Sequence, residues 1–249
     1  MAQSCVHPDA GLLCAVEPGP VVAMRDLKSA ALRWNAPAPA STAGWPRISP
    51  DARLVAFALQ DWKVRLLHAA DGSLAADLAG HTGEVQRVRF STDSARMITA
   101  SSDGTARVWD IAAAREVARF QTPGQATYAA ELCPVGTLAA SGGDDRRVHL
   151  WDSATGVEVK TLAGFNSVVW SLAFSPDGRR LAVGSQDRIV RIFDTSTGDE
   201  LLQLRHHTGT VMRIAWSPDG RFLATGGYDQ YVCVCDSARP ALQARPEQP

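Results

Sequence analysis

Residues Leu78 to Asp110 read LAGHTGEVQRVRFSTDSARMITASSDGTARVWD, and the chain is organised around this stretch. It carries Gly80-His81, a polar turn at Ser91-Thr92-Asp93-Ser94, Asp103 after a short apolar run, and Trp109-Asp110. Between these marks lie three alternating runs, Val85 to Phe90, Arg96 to Ser101 and Ala106 to Trp109. Alternation interrupted by turn residues every 8–12 positions predicts short antiparallel strands.

The unit recurs along the chain. Stepping from Trp109-Asp110 gives Leu67-His68, Trp151-Asp152, Phe193-Asp194 and Cys235-Asp236, a constant interval of 42. The aspartate six residues earlier keeps the interval as Asp61, Asp103, Asp145, Asp187 and Asp229. So do the turns beginning at Ser49, Ser91, Cys133, Ser175 and Ser217. A degenerate sixth copy opens the chain, with His7-Pro8-Asp9-Ala10 in the turn and Arg25-Asp26 in the Trp-Asp place. Gly19 replaces its aspartate, and its runs Leu12 to Val16 and Val21 to Met24 fit two strands.

A 40–45-residue period with GH and WD marks resembles the WD-repeat (WD40) β-propeller family. The resemblance covers nearly the whole chain; the Ala/Arg-rich composition and even copy length are similar to bacterial-type members. It implies an all-β fold, a β-propeller of about six four-stranded blades in one domain spanning 1–249. The blades fall near 1–36, 37–78, 79–120, 121–162, 163–204 and 205–246, with the tail 246–249 expected to be disordered. Blade strands a to d in the third copy are expected near Glu84–Phe90, Arg96–Ser101, Thr105–Asp110 and Arg115–Phe120.

Closure of such a ring is not explained by the repeat count. The family favours seven blades and exchanges a terminal strand, whereas 249 residues hold about six copies with no strand to spare. Three explanations stay open: a piece of a longer protein, a six-bladed ring closed by side-chain packing, or an open array that self-associates through its unclosed edge.

Composition narrows the function classes. Apolar residues make up 45% and charged residues 20%, as in a globular protein, and the net charge of −1 gives no reason to expect nucleic acid as a partner. No run approaches a membrane-spanning length. Five cysteines with no CxxC spacing predict neither a disulfide framework nor a metal site; they fit reduced thiols in a cytoplasmic protein.

His81, Thr99 and Asp103 have the side chains of a nucleophile triad. The family resemblance implies another role: with Trp109 they form a buried structural tetrad that ties the d–a loop to strands b and c, so no catalytic residue is expected. Blade six keeps His207, Thr225 and Asp229 with Cys235 for the tryptophan; blade four keeps Ser141, Asp145 and Trp151 with Pro123 for the histidine. Blades two and five keep only Asp61 and Asp187. Neither Asp144-Asp145 nor His206-His207 reads as a metal site, and the glycines at 142–143, 184 and 226–227 form no phosphate loop. No cofactor is expected.

The resemblance also implies three partner-contact positions per blade. The first set is Thr42, Glu84, Ala126, Val168 and Thr210; the second is Gly44, Gln86, Tyr128, Trp170 and Met212; the third is Gln60, Ser102, Asp144, Gln186 and Tyr228. Tyr128, Trp170 and Met212, with Tyr228 beside them and Asp144 and Gln186 at the rim, would make an aromatic patch at the channel mouth. Tyr and Trp are enriched at binding hot spots. The expected function is a non-catalytic scaffold for a protein or peptide partner, as the docking or sensor part of a larger signalling protein. The alternatives are a propeller enzyme or small-ligand binder, or residues that only plug the channel.

Overall fold

The computed structural model describes residues 3–17, 21–37, 46–122 and 124–237. Among the described residues all regular structure is β, arranged in six antiparallel sheets. The first holds β1 (Gln3–His7), β2 (Leu12–Glu17), β3 (Val21–Asp26) and β4 (Leu32–Pro37). The second holds β5 (Arg47–Ile48), β6 (Leu54–Ala58), β7 (Val64–His68) and β8 (Leu74–Leu78). The third holds β9 (Val85–Phe90), β10 (Arg96–Ser101), β11 (Thr105–Asp110) and β12 (Arg115–Gln121). The fourth holds β13 (Thr127–Leu132), β14 (Leu138–Gly143), β15 (Val148–Asp152) and β16 (Glu158–Leu162). The fifth holds β17 (Val169–Phe174), β18 (Arg180–Ser185), β19 (Val190–Asp194) and β20 (Glu200–Leu204). The sixth holds β21 (Val211–Trp216), β22 (Phe222–Gly227) and β23 (Val232–Asp236).

In every sheet the strands are hydrogen-bonded in chain order, the meander that one repeat makes alone. The degenerate first copy has four strands where its sequence marks two. A fourth strand for the sixth copy and the tail 246–249 fall outside the described residues, as do Gly19, Thr42, Gly44 and Pro123. The chain divides into two compact units, 1–130 with 153–156, and 131–152 with 157–249.

The Ser-x-Asp turns show why the repeat keeps those residues. Ser49, Ser91, Ser175 and Ser217 each donate Oγ–H to the carboxylate two residues on, at 2.5–2.6 Å. The same oxygens accept the backbone N–H five residues on, at 2.8–2.9 Å. The side chain thereby closes the a–b turn and satisfies a backbone donor. The aspartate of the Trp-Asp pair does similar work in the c–d turn, where Asp110 accepts Ala113 N–H and Asp194 accepts Ser196 and Thr197 N–H.

Each sheet is too thin to bury its own apolar face, so cores form where successive sheets meet. In unit 1, Leu12, Cys14, Val22 and Met24 of the first sheet pack with Val55, Phe57 and Leu67 of the second. In unit 2, Ala182, Val190 and Ile192 of the fifth pack with Val211, Ile214, Leu223 and Cys235 of the sixth. The approach is close at Gly184, where a Cβ would lie 2.7 Å from Val211 Cγ1. A larger residue at 184 would force the two sheets apart.

Candidate functional site

In the third sheet, His81 precedes β9, Thr99 lies on β10, Asp103 in the β10–β11 turn and Trp109 on β11. The structure brings these four side chains into one hydrogen-bonded chain. Trp109 Nε1 donates to Thr99 Oγ1 at 2.9 Å, Thr99 Oγ1 lies 2.7 Å from His81 Nε2, and His81 Nδ1 lies 2.9 Å from Asp103 Oδ2. An indole can only donate and a carboxylate can only accept, so the polarity of the chain is fixed. Thr99 O–H donates to Nε2, and the Nδ1–H tautomer donates to Asp103. Burial holds the His81 imidazole below its ordinary pKa, in the neutral form this relay needs. Burial pushes the Asp103 carboxyl up, but Thr105 O–H, Thr82 N–H and His81 outweigh it and hold it well below the usual carboxylate range. Thr99 is fully buried and Trp109 is 1% exposed. A nucleophile placed there has no room for a substrate, so the arrangement can fasten strands together but cannot reach a reacting bond.

Other sheets carry partial versions. His207 Nδ1 lies 2.9 Å from Asp229 Oδ2 and Nε2 lies 2.8 Å from Thr225 Oγ1, with buried Cys235 in the indole place. Trp151 Nε1 donates to Ser141 Oγ at 3.2 Å. The fifth sheet replaces the polar chain by carbon: Phe165 and Phe193 stand in the histidine and tryptophan places with ring centroids 5.7 Å apart. Asp187 still accepts Ile189 N–H and Asn166 N–H, and Asp61 accepts Lys63 N–H.

A second periodic element runs through the same sheets. Arg107, His149 and Arg191, and likewise Glu116, Glu158 and Glu200, repeat at the same interval of 42. In each of the three sheets the basic side chain links the repeat aspartate to an acid on strand d. Arg107 lies 3.4 Å from Asp103 and 2.9 Å from Glu116. Arg191 lies 2.9 Å from Asp187 and 3.5 Å from Glu200, as close ion pairs rather than aligned hydrogen bonds, with Phe165 5.1 Å from its guanidinium. His149 lies 2.7 Å from Asp145 and 2.6 Å from Glu158. Burial opposes its charge, but the two carboxylates outweigh burial and raise its pKa. Removing one partner from such a buried pair leaves an uncompensated charge, which is strongly destabilising. The signal was in the sequence, as two further columns in the same register.

Three of the expected partner-contact positions share a backbone irregularity. Pairing between strands a and b slips by one residue, with Val85 and Arg87 opposite Ser101 and Ala100, Val169 and Ser171 opposite Ser185 and Gly184, and Val211 and Arg213 opposite Gly227 and Gly226. The extra residues are Gln86, Trp170 and Met212. A β-bulge leaves one residue outside the ladder and re-aims its side chain. The other two sets are brought together by one backbone bond per sheet. Ser102 N–H donates to Glu84 O, Gln186 N–H to Val168 O and Tyr228 N–H to Thr210 O, each at 2.9 Å.

In unit 2, Trp170 on β17 and Met212 on β21 are half-buried on neighbouring strands, joined by Ser171 Oγ–H donating to Val211 O at 3.3 Å. Asp144 is half-buried, Gln186 exposed, and Tyr228 69% exposed. Tyr128, on β13, belongs to unit 1 and is half-buried there. Also in unit 1, a small notch is lined by Arg47, Gln86, Arg87 and Val88, so it adjoins one of the bulged positions. Among the described residues no group of three or more His, Cys, Asp or Glu side chains is placed to hold a metal ion, and no helix is long and apolar enough to cross a membrane.

The family model described as "WD domain, G-beta repeat" matches residues 72–110, 117–152, 156–194 and 198–236, more than half of the chain. WD repeat-containing protein 1 of Xenopus tropicalis is 36% identical over 77 residues, 30% of this chain and 13% of that protein. Periodic tryptophan protein 2 of Arabidopsis thaliana is 32% identical over 75 residues, 30% of this chain and 8% of that protein. The U3 small nucleolar RNA-associated protein 21 homolog of Schizosaccharomyces pombe is 30% identical over 88 residues, 35% of this chain and 10% of that protein. The matched part of this chain thus spans about a tenth of the length of these relatives. All three are eukaryotic, which lends no support to the bacterial type expected from composition.

Proposed function

Because this chain belongs to the WD-repeat family, we propose that it is a non-catalytic scaffold that docks a peptide or protein partner at the channel mouth, on the side chains its bulges present. Trp170, Met212 and Tyr228 supply the apolar anchors in this reading, with Asp144 and Gln186 as the polar rim. The carrying observation is that the backbone spends a bulge at Gln86, Trp170 and Met212 alike. Regular pairing would return those side chains to the ladder, whereas a bulge gives them a fixed outward aim. An exposed aromatic beside half-buried apolar groups is the surface that supplies hot-spot energy on desolvation. A reducing, cytoplasmic setting is part of the same proposal, resting on five cysteines without CxxC spacing.

A photo-reactive benzoylphenylalanine at position 228 provides the test. Peptides selected from a random displayed library on the wild-type protein should crosslink there and not from position 201, an exposed site on outer strand β20. Crosslinking from 201 alone would overturn the assignment.

A second reading, self-association, is favoured by the sixth sheet. Val232 and Val234 are 73% and 60% exposed, whereas their counterparts Val190 and Ile192 are 1% and 5% exposed beneath the next sheet. A second copy covering that face would give a dimer in sedimentation velocity that Val234→Lys abolishes; a wild-type monomer at high concentration would refute it.

A further inference from the structure

Cys5 and Cys14 stand directly opposite one another in the β1–β2 ladder. Both side chains lie on the sheet face that packs against the second sheet: Cys14 is a fully buried member of that core, and Cys5 is packed against it. Opposed residues of an antiparallel pair have Cα atoms about 4.5–5.5 Å apart, inside the 4.4–6.8 Å range of disulfides. Their Cβ atoms need only a small inward shift to reach the roughly 3.8 Å of a disulfide. Both thiols are free. A contrasting pair exists on β23, where Cys233 and Cys235 are two residues apart on one strand. An extended strand holds such Cα atoms about 6.6–6.8 Å apart, at the edge of what a disulfide can bridge.

We propose that Cys5 and Cys14 are a thiol–disulfide redox pair, closed by small-molecule disulfides such as oxidised glutathione. Cys5, only half-buried, is the attacking thiol. Its thiolate attacks one sulfur of the oxidant R–S–S–R, forming Cys5–S–S–R and releasing one RS⁻. The Cys14 sulfur, losing its proton, then attacks the Cys5 sulfur and expels the second RS⁻. Two protein thiols are oxidised, one oxidant disulfide is reduced, and the two protons leave on two RSH molecules.

The environment sets the rhythm of these steps. Burial, with Cys5 beside it, pushes the Cys14 thiol up to about 12. The resolving sulfur is therefore rarely a thiolate near neutrality, and closure is slow relative to capture of the oxidant. The product is uncharged, so the burial that disfavours the thiolate does not disfavour the disulfide. Closure would staple β1 to β2 in the one sheet whose repeat marks are degenerate.

The test uses the full chain, reduced, then incubated with oxidised glutathione and quenched by acid and alkylation. Cleavage before Asp9 separates the two cysteines, so mass spectrometry without reductant reads the link directly. The expected result is a glutathione adduct on Cys5 that converts to a Cys5–Cys14 link. Conversion should accelerate about tenfold per pH unit between pH 7 and 9, following the thiolate fraction. Cys14→Ala should stop at the Cys5 adduct, Cys5→Ser should give no link, and Cys233 and Cys235 should stay unlinked to each other. A Cys5 adduct that persists in folded wild type at pH 9, or a link between Cys233 and Cys235 instead, would overturn the proposal. The wild-type measurement decides the question even if a variant fails to fold.

Discussion

Replacing Thr99 by valine keeps the shape of a fully buried side chain and removes its hydroxyl. That hydroxyl accepts from Trp109 Nε1 at 2.9 Å and lies 2.7 Å from His81 Nε2. The substitution leaves two buried polar groups without this partner, each costing about 1–3 kcal/mol. Partial relaxation makes about 2–4 kcal/mol the expected loss for the unit that contains the third sheet. Thr99→Ser is the matched control. It keeps the hydroxyl and gives up one methyl, worth about 1 kcal/mol with its cavity. Chemical denaturation followed by near-UV circular dichroism of the buried tryptophan gives both values, with hydrogen exchange of β10 amides confirming where stability is lost. Valine should cost more than serine. If serine costs as much as valine or more, shape alone holds this sheet and the hydrogen-bonded chain contributes nothing measurable.

Three more outcomes follow from the same geometry. His149 has a folded pKa raised above 6.5, so its stabilising contribution is full below pH 6.5 and is lost as pH rises through the folded value. His149→Arg, which restores the residue type found at 107 and 191, should remove that decline in the thermal melting of unit 2; an unchanged pH profile would refute the ion link. His81 has the opposite sign: its lowered pKa means stability falls as pH drops below 6.5 through the folded value, and an NMR titration of its ring protons with a midpoint at or above 6.5 would contradict the neutral relay. Gly104, at φ +83 with Thr122 O and Gln125 O 2.7 and 2.8 Å from a Cβ position, should lose more than the ~1–2 kcal/mol of left-handed strain when changed to alanine, as read by denaturant midpoint.

The sequence carried the sheets because their boundaries are written by groups that must be satisfied locally. Ser91, Asp93, Asp103 and Asp110 each bond backbone within a few residues, so one interval locates every turn. Copy one was harder to read because Gly19 and Arg25 replace the marks, while its strands are held by Leu12, Cys14, Val22 and Met24 packing on the second sheet. The candidate contact positions were named by resemblance, but their bulges were not foreseen, since a bulge depends on how two strands pair. A trace was present: Val85-Gln86-Arg87-Val88 breaks strict alternation, with Val85, Arg87 and Val88 all buried. The Arg107, His149 and Arg191 links were legible as a column but easily taken for solvated charge, because burial of a cation is visible only once both acids are in place. Phe165 with Phe193 shows the converse, two marks lost together and replaced by a ring contact no single-position pattern would reveal.

Under the proposed function, partner binding rests on the bulged side chains. Isothermal titration of one library-selected peptide against wild type, Trp170→Ala and the outer-strand control Leu201→Ala tests it most directly. Loss of a hot-spot aromatic costs about 2 kcal/mol or more, roughly a thirtyfold weaker Kd. Trp170→Ala should show that loss, with melting temperature unchanged and Leu201→Ala indistinguishable from wild type. Full affinity in Trp170→Ala at unchanged stability would contradict the proposed function.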